Sequence, residues 1–243
     1  MPVAVPLHTR QLRQLMHTLP RALTLDLDDT LWPIWPTIER AESVLHAWLQ
    51  VHAPATAQRF DRAGLRSLRD VVAAENPHWL HDLSAIRAES LRRALLLAGE
   101  NPALSQAAFE VFFEARQQVV LYDDALAALE RLARRYPLMA LTNGNADLER
   151  IGLAPFFRGS VTARGLGVAK PDSRIFHHAC AALGCEPAQV LHIGDDFELD
   201  VNGALKAGLQ AVWLRRESHG PADMQDRVRV FSDLSALADA LQA

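Results

Sequence analysis

At 243 residues the chain has room for one core domain with an insertion or for two modest domains, and its 49% apolar content is ample for a packed interior. A formal net charge of −4 with no basic block argues against a nucleic-acid partner. No apolar run reaches the ~18 residues of a membrane span, and His8, Thr9, Arg10 and Arg13 interrupt the N-terminal apolar positions that a secretory signal would need, so the chain reads as cytoplasmic, with no membrane partner.

Ala22 to Leu27 reads as the first strand, and it ends by presenting Asp26, Asp28 and Asp29 within four positions. Asp is disfavoured in strands, and close carboxylates repel unless a cation or a proton neutralises them. Asp26 and Asp28, two apart, would share one face of an extended segment. From Pro33 to about Val119 the β signal vanishes. Ile38, Val44, Leu45 and Trp48 form an apolar helical stripe, and further helices are expected over 56–74, 84–98 and 103–120, with Gly99-Glu100-Asn101-Pro102 as a stop and restart.

After about Val120, short apolar runs at 138–142, 159–163, 190–194, 210–214 and 228–231 alternate with helical patterns at 123–135, 172–183 and 200–207. That alternation implies an α/β fold: a Rossmann-like parallel sheet with helices on both faces. Residues 1–32 and 119–243 would form this catalytic core, with an all-helical cap inserted at 33–118. Cys180 and Cys185 match neither a metal spacing nor a disulfide framework and are expected as buried or half-buried thiols.

In an open α/β sheet, ligands bind beyond the carboxyl ends of the strands. There the sequence puts Asp26 and Asp28 after the first strand, Thr142-Asn143-Gly144-Asn145 after the second, and Asp195, Asp196 and Asp200 after a later one. Lys170 is the lone basic residue leading to the third group. At 4 Å and an effective dielectric near 20, each like-charged pair costs about 4 kcal/mol, more than one lysine offsets. A hard divalent cation does offset it, and oxygen ligands suit Mg²⁺; without a His or Cys cluster, zinc is not expected. An Asp carboxylate can then attack phosphorus and form an aspartyl-phosphate. Thr142, with the backbone N–H groups of Asn143 and Gly144, can donate to the phosphoryl oxygens, and Lys170 adds a positive donor. Asp28 is placed to move the proton to and from the leaving oxygen.

Asp-Leu-Asp-Asp-Thr, Leu-Thr-Asn-Gly-Asn, Lys170-Pro171 and Gly-Asp-Asp-Phe-Glu-Leu-Asp resemble, in order, the four motifs of the haloacid dehalogenase superfamily. The resemblance implies that Asp26 is the nucleophile and a Mg²⁺ ligand, and that Asp28 is the acid/base and binds the metal through its carbonyl. It further implies that Thr142 and Asn143 hold the phosphoryl group, that Lys170 steadies Asp26, and that Asp195 is a metal ligand. Asp196 and Asp200 would stand behind these ligands, and Asp29 would be a turn residue. Members that displace halide from carbon lack an acid two residues after the nucleophile, so Asp28 favours phosphoester chemistry.

Thr142 to Ala146, Lys170 to Leu183, and His192 to Asp196 with Ala211 to Arg215 are further similar to bacterial flavin-pathway phosphatases, as are His81-Asp82 and Arg87 in the cap. Those enzymes hydrolyse 5-amino-6-(5-phospho-D-ribitylamino)uracil and flavin mononucleotide (FMN). The resemblance makes His81, Arg87 and Gly144 candidate substrate contacts; among Trp32, Trp35 and Trp79, Trp32 is the candidate ring-stacking surface because it directly follows the catalytic loop. A broader nucleotide or sugar phosphate phosphatase, a phosphomutase, a 2-haloacid dehalogenase and a non-enzymatic binding module are the alternatives.

Overall fold

The computed structural model describes residues 19–216 and 228–243. The N-terminal segment carrying His8, Thr9, Arg10 and Arg13 lies outside the described residues. Six parallel strands form one sheet: β1 (Ala22–Leu25), β2 (Leu138–Thr142), β3 (Ser160–Thr162), β4 (Val190–Gly194), β5 (Gln210–Leu214) and β6 (Arg229–Phe231). Their order is β3-β2-β1-β4-β5-β6. The order reverses between β1 and β4, and the crevice at the carboxyl ends of these two strands is where a doubly wound sheet binds its ligand. Asp26 follows β1 and Asp195 follows β4, so the reversal brings them together.

Strand alternation sorts the core onto the two faces of the sheet. Leu23, Leu25, Leu138, Ala140, Leu191 and Ile193 face α6 (Ala125–Arg135) and α8 (Leu234–Ala240). Ala22, Met139, Leu141 and Val190 face α7 (Ser173–Leu183) and Ala204. The expected α/β fold with helices on both faces is therefore observed. Cys180 is buried and Cys185 half-buried, both as free thiols, and burial pushes the Cys180 thiol up to about 11.

Between β1 and α6 the described chain is helical: α1 (Ile34–His52), α2 (Pro54–Arg59), α3 (Arg62–Glu75), α4 (Leu83–Leu97) and α5 (Ser105–Arg116). The single helix expected over 56–74 is two, because Asp61 caps the start of α3 by accepting from Gly64 N and so breaks the run. These helices enclose a core of their own, with Ala41, Leu45 and Leu49 of α1 packed on Leu91, Leu95, Phe109 and Phe112. The helix expected over 200–207 starts earlier, at Phe197, with π-type turns up to Asn202, an irregularity that often marks a functional site. Among the described residues no helix is long and apolar enough to cross a membrane.

Candidate active site

β1 ends at Leu25, and the chain then turns: Leu31 N donates to Leu27 O, and Asp29, at φ 57°, accepts from Ile34 N through Oδ1. Asp29 thus plays the turn role expected of it. The turn separates the two acids that an extended chain would have kept on one face. Asp26 points into the sheet reversal, whereas Asp28 points toward α5.

Asp26 is 7% exposed and Lys170 5%. Lys170 Nζ lies 2.5 Å from Asp26 Oδ1 and 2.6 Å from Asp200 Oδ1. Thr30 Oγ1 donates toward Asp26 Oδ2 at 3.4 Å and Asp195 Oδ1 at 3.1 Å. Asp200 also accepts from His192 Nε2 at 3.0 Å and from Asp196 N at 3.1 Å. Burial pushes Asp26 well above the usual carboxylate range; Lys170 opposes this, while Asp200 and Asp195 add to it. Burial, with Asp200 and Asp29, lifts Asp195 to about 7. Against the cost of burial, Asp200 and Asp26 hold Lys170 above its ordinary value, and Lys170 and His192 hold Asp200 well below its own.

One oxygen each of Asp26, Asp195 and Asp200 lies within 4.8 Å of the others. Fully ionised, three carboxylates against one ammonium would leave an excess of two negative charges, each like pair costing about 3–4 kcal/mol at an effective dielectric of 20. Burial and this repulsion together are why Asp26 and Asp195 hold their protons more tightly here. Hard oxygens carrying that excess fit a divalent cation such as Mg²⁺.

The loop after β2 takes a different form from the one expected. Gly144 N donates to Thr142 Oγ1 at 2.9 Å, so this N–H is engaged within the loop and the Thr142 hydroxyl is left to donate outward. Asn143 is turned away: its Oδ1 accepts from Lys170 N at 2.8 Å and its Nδ2 donates to Lys170 O at 3.0 Å. Its side chain holds the lysine loop, whose Lys170–Pro171 bond is cis. Gly144 is required by space, because a Cβ there would sit 2.4 Å from Asp28 Oδ2.

Trp32 is corrected more sharply. It has no exposed surface and so offers no stacking face; its Nε1 donates to Asp28 Oδ1 at 2.9 Å. Trp35, at the start of α1, is exposed, with the Arg66 guanidinium 4.8 Å over its ring. Asp196 is also redirected, since its carboxylate caps the following helical turns by accepting from Glu198 N and Leu199 N. Arg87 lies 3.6 Å over the Phe112 ring and 3.8 Å from Glu42, inside the helical insertion. His81 is half-buried in the turn before α4, and among the described residues no hydrogen bond ties it to the catalytic loops.

Four contributors had no role in the sequence reading. Thr30 bridges two acids, and His192 supports Asp200. Trp213 Nε1 donates to the carbonyl of Asp195 at 2.7 Å. Arg116, at the end of α5, places Nη2 2.7 Å from both oxygens of Asp28. A polar His inside an apolar strand was a usable signal; for Arg116, 88 residues from its partner, there was none. A cleft of about 300 Å³ lined by Asp29, Asp195 and Arg216 opens beside the acids, and a cleft of about 470 Å³ lies along the loop after β2, lined by Gly144, Asn145 and Thr162.

Comparison with known proteins agrees with this geometry. Residues 20–208 match the model of the haloacid dehalogenase-like hydrolase family. The chain is 36% identical over 201 residues to the 5-amino-6-(5-phospho-D-ribitylamino)uracil phosphatase YigB of Escherichia coli (strain K12), covering 81% of this chain and 84% of the relative. It is 33% identical over 221 residues to a phosphoserine phosphatase of Thermus thermophilus, covering 81% of this chain and 89% of the relative. The solved structure of a 2-haloacid dehalogenase from Pseudomonas syringae pv. Tomato DC3000 superposes with a TM-score of 0.84 at 34% identity, over 92% of this chain and 98% of that one. With the family match running from before β1 to beyond β4, the chain belongs to the haloacid dehalogenase-like hydrolases.

Proposed function

We propose that this protein is a Mg²⁺-dependent phosphomonoesterase working through an aspartyl-phosphate on Asp26, with α1–α5 as a cap that selects the leaving group. The observation that carries the reading is the separation of two carboxylates two residues apart. Asp26 is held by Lys170 in the acid cluster, and Asp28 is held apart from it by Trp32 and Arg116. One is placed to attack and the other to move a proton.

In the first half, an Asp26 oxygen bonds to phosphorus, the ester P–O bond breaks, and the leaving oxygen takes a proton from Asp28. In the second half, water attacks the aspartyl-phosphate, Asp28 accepts its proton, and phosphate and free Asp26 are regenerated. The Thr142 hydroxyl, the Asn143 N–H and Lys170 Nζ are the donors for the phosphoryl oxygens. The carboxylates of Asp26 and Asp195 and the carbonyl of Asp28 would hold Mg²⁺, which supplies positive charge to the phosphoryl group.

The similarity to the E. coli enzyme supports 5-amino-6-(5-phospho-D-ribitylamino)uracil as substrate, and the resemblance of the motifs to flavin-pathway phosphatases adds FMN. Trp35, half exposed at the start of α1, replaces Trp32 as the ring surface in this reading. The phosphoserine phosphatase relative keeps a wider range of phosphomonoesters open. The dehalogenase neighbour does not favour halide displacement here, because an alkyl halide needs no proton on its leaving group and Asp28 is held by two separate donors. A screen with Mg²⁺ over FMN, the ribitylaminouracil phosphate, nucleotides, phosphoserine and sugar phosphates tests the substrate. Phosphate release that vanishes with chelator and in Asp26→Asn supports the mechanism; full activity in Asp26→Asn overturns it.

A further inference from the structure

Asp28 is gripped from the helical insertion. Arg116 is 1% exposed, and its Nη2 donates to both Asp28 oxygens while its Nε donates to Asn145 Oδ1 at 2.9 Å. Its Nη1 is buried without a hydrogen-bond partner among the described residues. A buried guanidinium ordinarily has its N–H groups satisfied. The next residue, Gln117, holds the same loop after β2: its Oε1 accepts from Asp147 N at 2.9 Å. Ser84 of α4 adds a third tie, accepting from Asn145 Nδ2 at 3.1 Å.

We propose that Arg116 is the cap's contribution to the reaction: a positioning residue that fixes the Asp28 carboxyl for proton transfer to the leaving oxygen. The inference rests on the phosphatase reading of Asp28. Trp32 and Arg116 both donate to Oδ1, and Arg116 Nη2 also reaches Oδ2 at 2.7 Å, so the two donors together fix the plane of the carboxyl group. Oδ2, the oxygen that Trp32 leaves free, lies on the side that the missing Gly144 Cβ keeps clear and is the one placed to exchange the proton. The Oδ2–H bond breaks as the bond from hydrogen to the leaving oxygen forms; in the hydrolytic half the proton of the attacking water returns to Oδ2. Arg116 stays a cation throughout and exchanges no proton. Because the grip comes from α5, the acid is aligned only when that helix is docked on the loop after β2, so cap docking and acid alignment are one event.

The test compares wild type, Arg116→Met, Arg116→Lys and Asp28→Asn, each as the full chain with Mg²⁺. Two leaving groups are used: the best alkyl phosphate of the screen above, whose alkoxide needs a proton, and p-nitrophenyl phosphate, whose phenolate leaves without one. The expected loss of kcat/KM, which reports the first half and not the hydrolysis of the aspartyl-phosphate that both substrates share, is about 100-fold or more on the alkyl phosphate in Arg116→Met and Asp28→Asn, the scale of general acid catalysis. On p-nitrophenyl phosphate it stays below about tenfold. Arg116→Lys keeps the charge without the fork and recovers part of the alkyl phosphate rate. Equal losses on both substrates in Arg116→Met, with Asp28→Asn still selective, would assign Arg116 a purely structural role and overturn the inference. So would an unchanged alkyl phosphate rate. Equal losses in Asp28→Asn as well would overturn the acid/base reading itself, and the inference with it. Thermal melting confirms folding; if Arg116→Met does not fold, the Arg116→Lys comparison decides.

Discussion

His192 Nε2 donates to Asp200 Oδ1 at 3.0 Å in the sealed interior of the sheet, while Thr24 Oγ1 lies 2.9 Å from His192 Nδ1. Burial holds the imidazole below its ordinary value, against the pull of Asp200, so it stays neutral, donating through Nε2 and accepting from Thr24 through Nδ1. A chain of side chains thus runs Thr24, His192, Asp200, Lys170, Asp26. His192→Phe removes a donor from a buried carboxylate and strands the Thr24 hydroxyl, an expected cost of about 1–3 kcal/mol in urea unfolding. Asp200→Asn should act on the site instead, reducing kcat on the order of 10–100-fold as a support of Lys170 and of the proposed metal ligands. Unchanged stability in the first variant or unchanged kcat in the second would break the chain at that link.

Gly194 closes β4 against this chain. A Cβ there would lie 2.3 Å from Asp200 Cγ and 2.6 Å from its Cβ. Both belong to a side chain fixed by Lys170 and His192, so neither can move aside cheaply. Gly194→Ala should cost about 1–3 kcal/mol as overpacking and should displace Asp200 from Lys170. Thermal melting and steady-state kinetics together check this: a stable Gly194→Ala protein with wild-type kcat would mean that Asp200 has slack the packing does not suggest.

Asp195 sets the pH dependence. Its carboxyl is lifted to about 7 by burial, Asp200 and Asp29, and Asp26 is shifted in the same direction. Between about pH 4 and 7 the folded protein therefore holds a proton that the unfolded chain has released. The associated stability is complete below the unfolded value and is lost as pH rises through 7, on the order of 2–4 kcal/mol for Asp195 at 1.36 kcal/mol per unit. Asp200 is shifted down and acts only in strong acid, and Lys170 is shifted up and acts only in strong base. His192, shifted down by burial, offsets part of the loss as pH rises toward its ordinary value near 6.5. Melting temperature in chelator should fall from pH 5.5 to 8.5. Mg²⁺ binding requires the deprotonated ligands, so the increment it adds should grow over the same range. A chelated protein that gains stability with rising pH would contradict the assignment.

What the sequence disclosed and what it hid follow from how far each interaction reaches. Asp26, Lys170, Asp195 and Asp200 were readable because each sits at a strand end or helix start that local pattern locates, and the parallel sheet does the rest. The direction of the Asn143 side chain and the burial of Trp32 were not readable, because adjacency in sequence does not give direction. Asn143 turns to the Lys170 backbone, and Trp32 turns inward because its indole N–H can satisfy Asp28 while its ring fills the core. Arg116 was invisible because its partner is set by how α5 docks, a tertiary fact that no spacing in the chain encodes.

The helical insertion holds one more charge arrangement whose consequence is measurable. Glu42 of α1 is 4% exposed, with Arg66 Nε 2.5 Å from Oε2 and with Arg69 and Arg87 at 3.9 and 3.8 Å from Oε1. Burial, then Arg69, pulls Arg87 down to about 9, and Glu42 only partly opposes this. Three guanidiniums therefore lean on one carboxylate. Glu42→Gln keeps the shape and removes the charge, leaving the arginines to repel one another around a half-buried site. Breaking a buried pair in this way typically costs about 3–5 kcal/mol, reduced here because Arg66 and Arg69 keep contact with water. A fall in melting temperature is expected, with partial recovery in sulfate or phosphate, whose anions can take the place of the lost carboxylate. Glu42→Gln melting with the wild type would mean that the three arginines are already neutralised elsewhere.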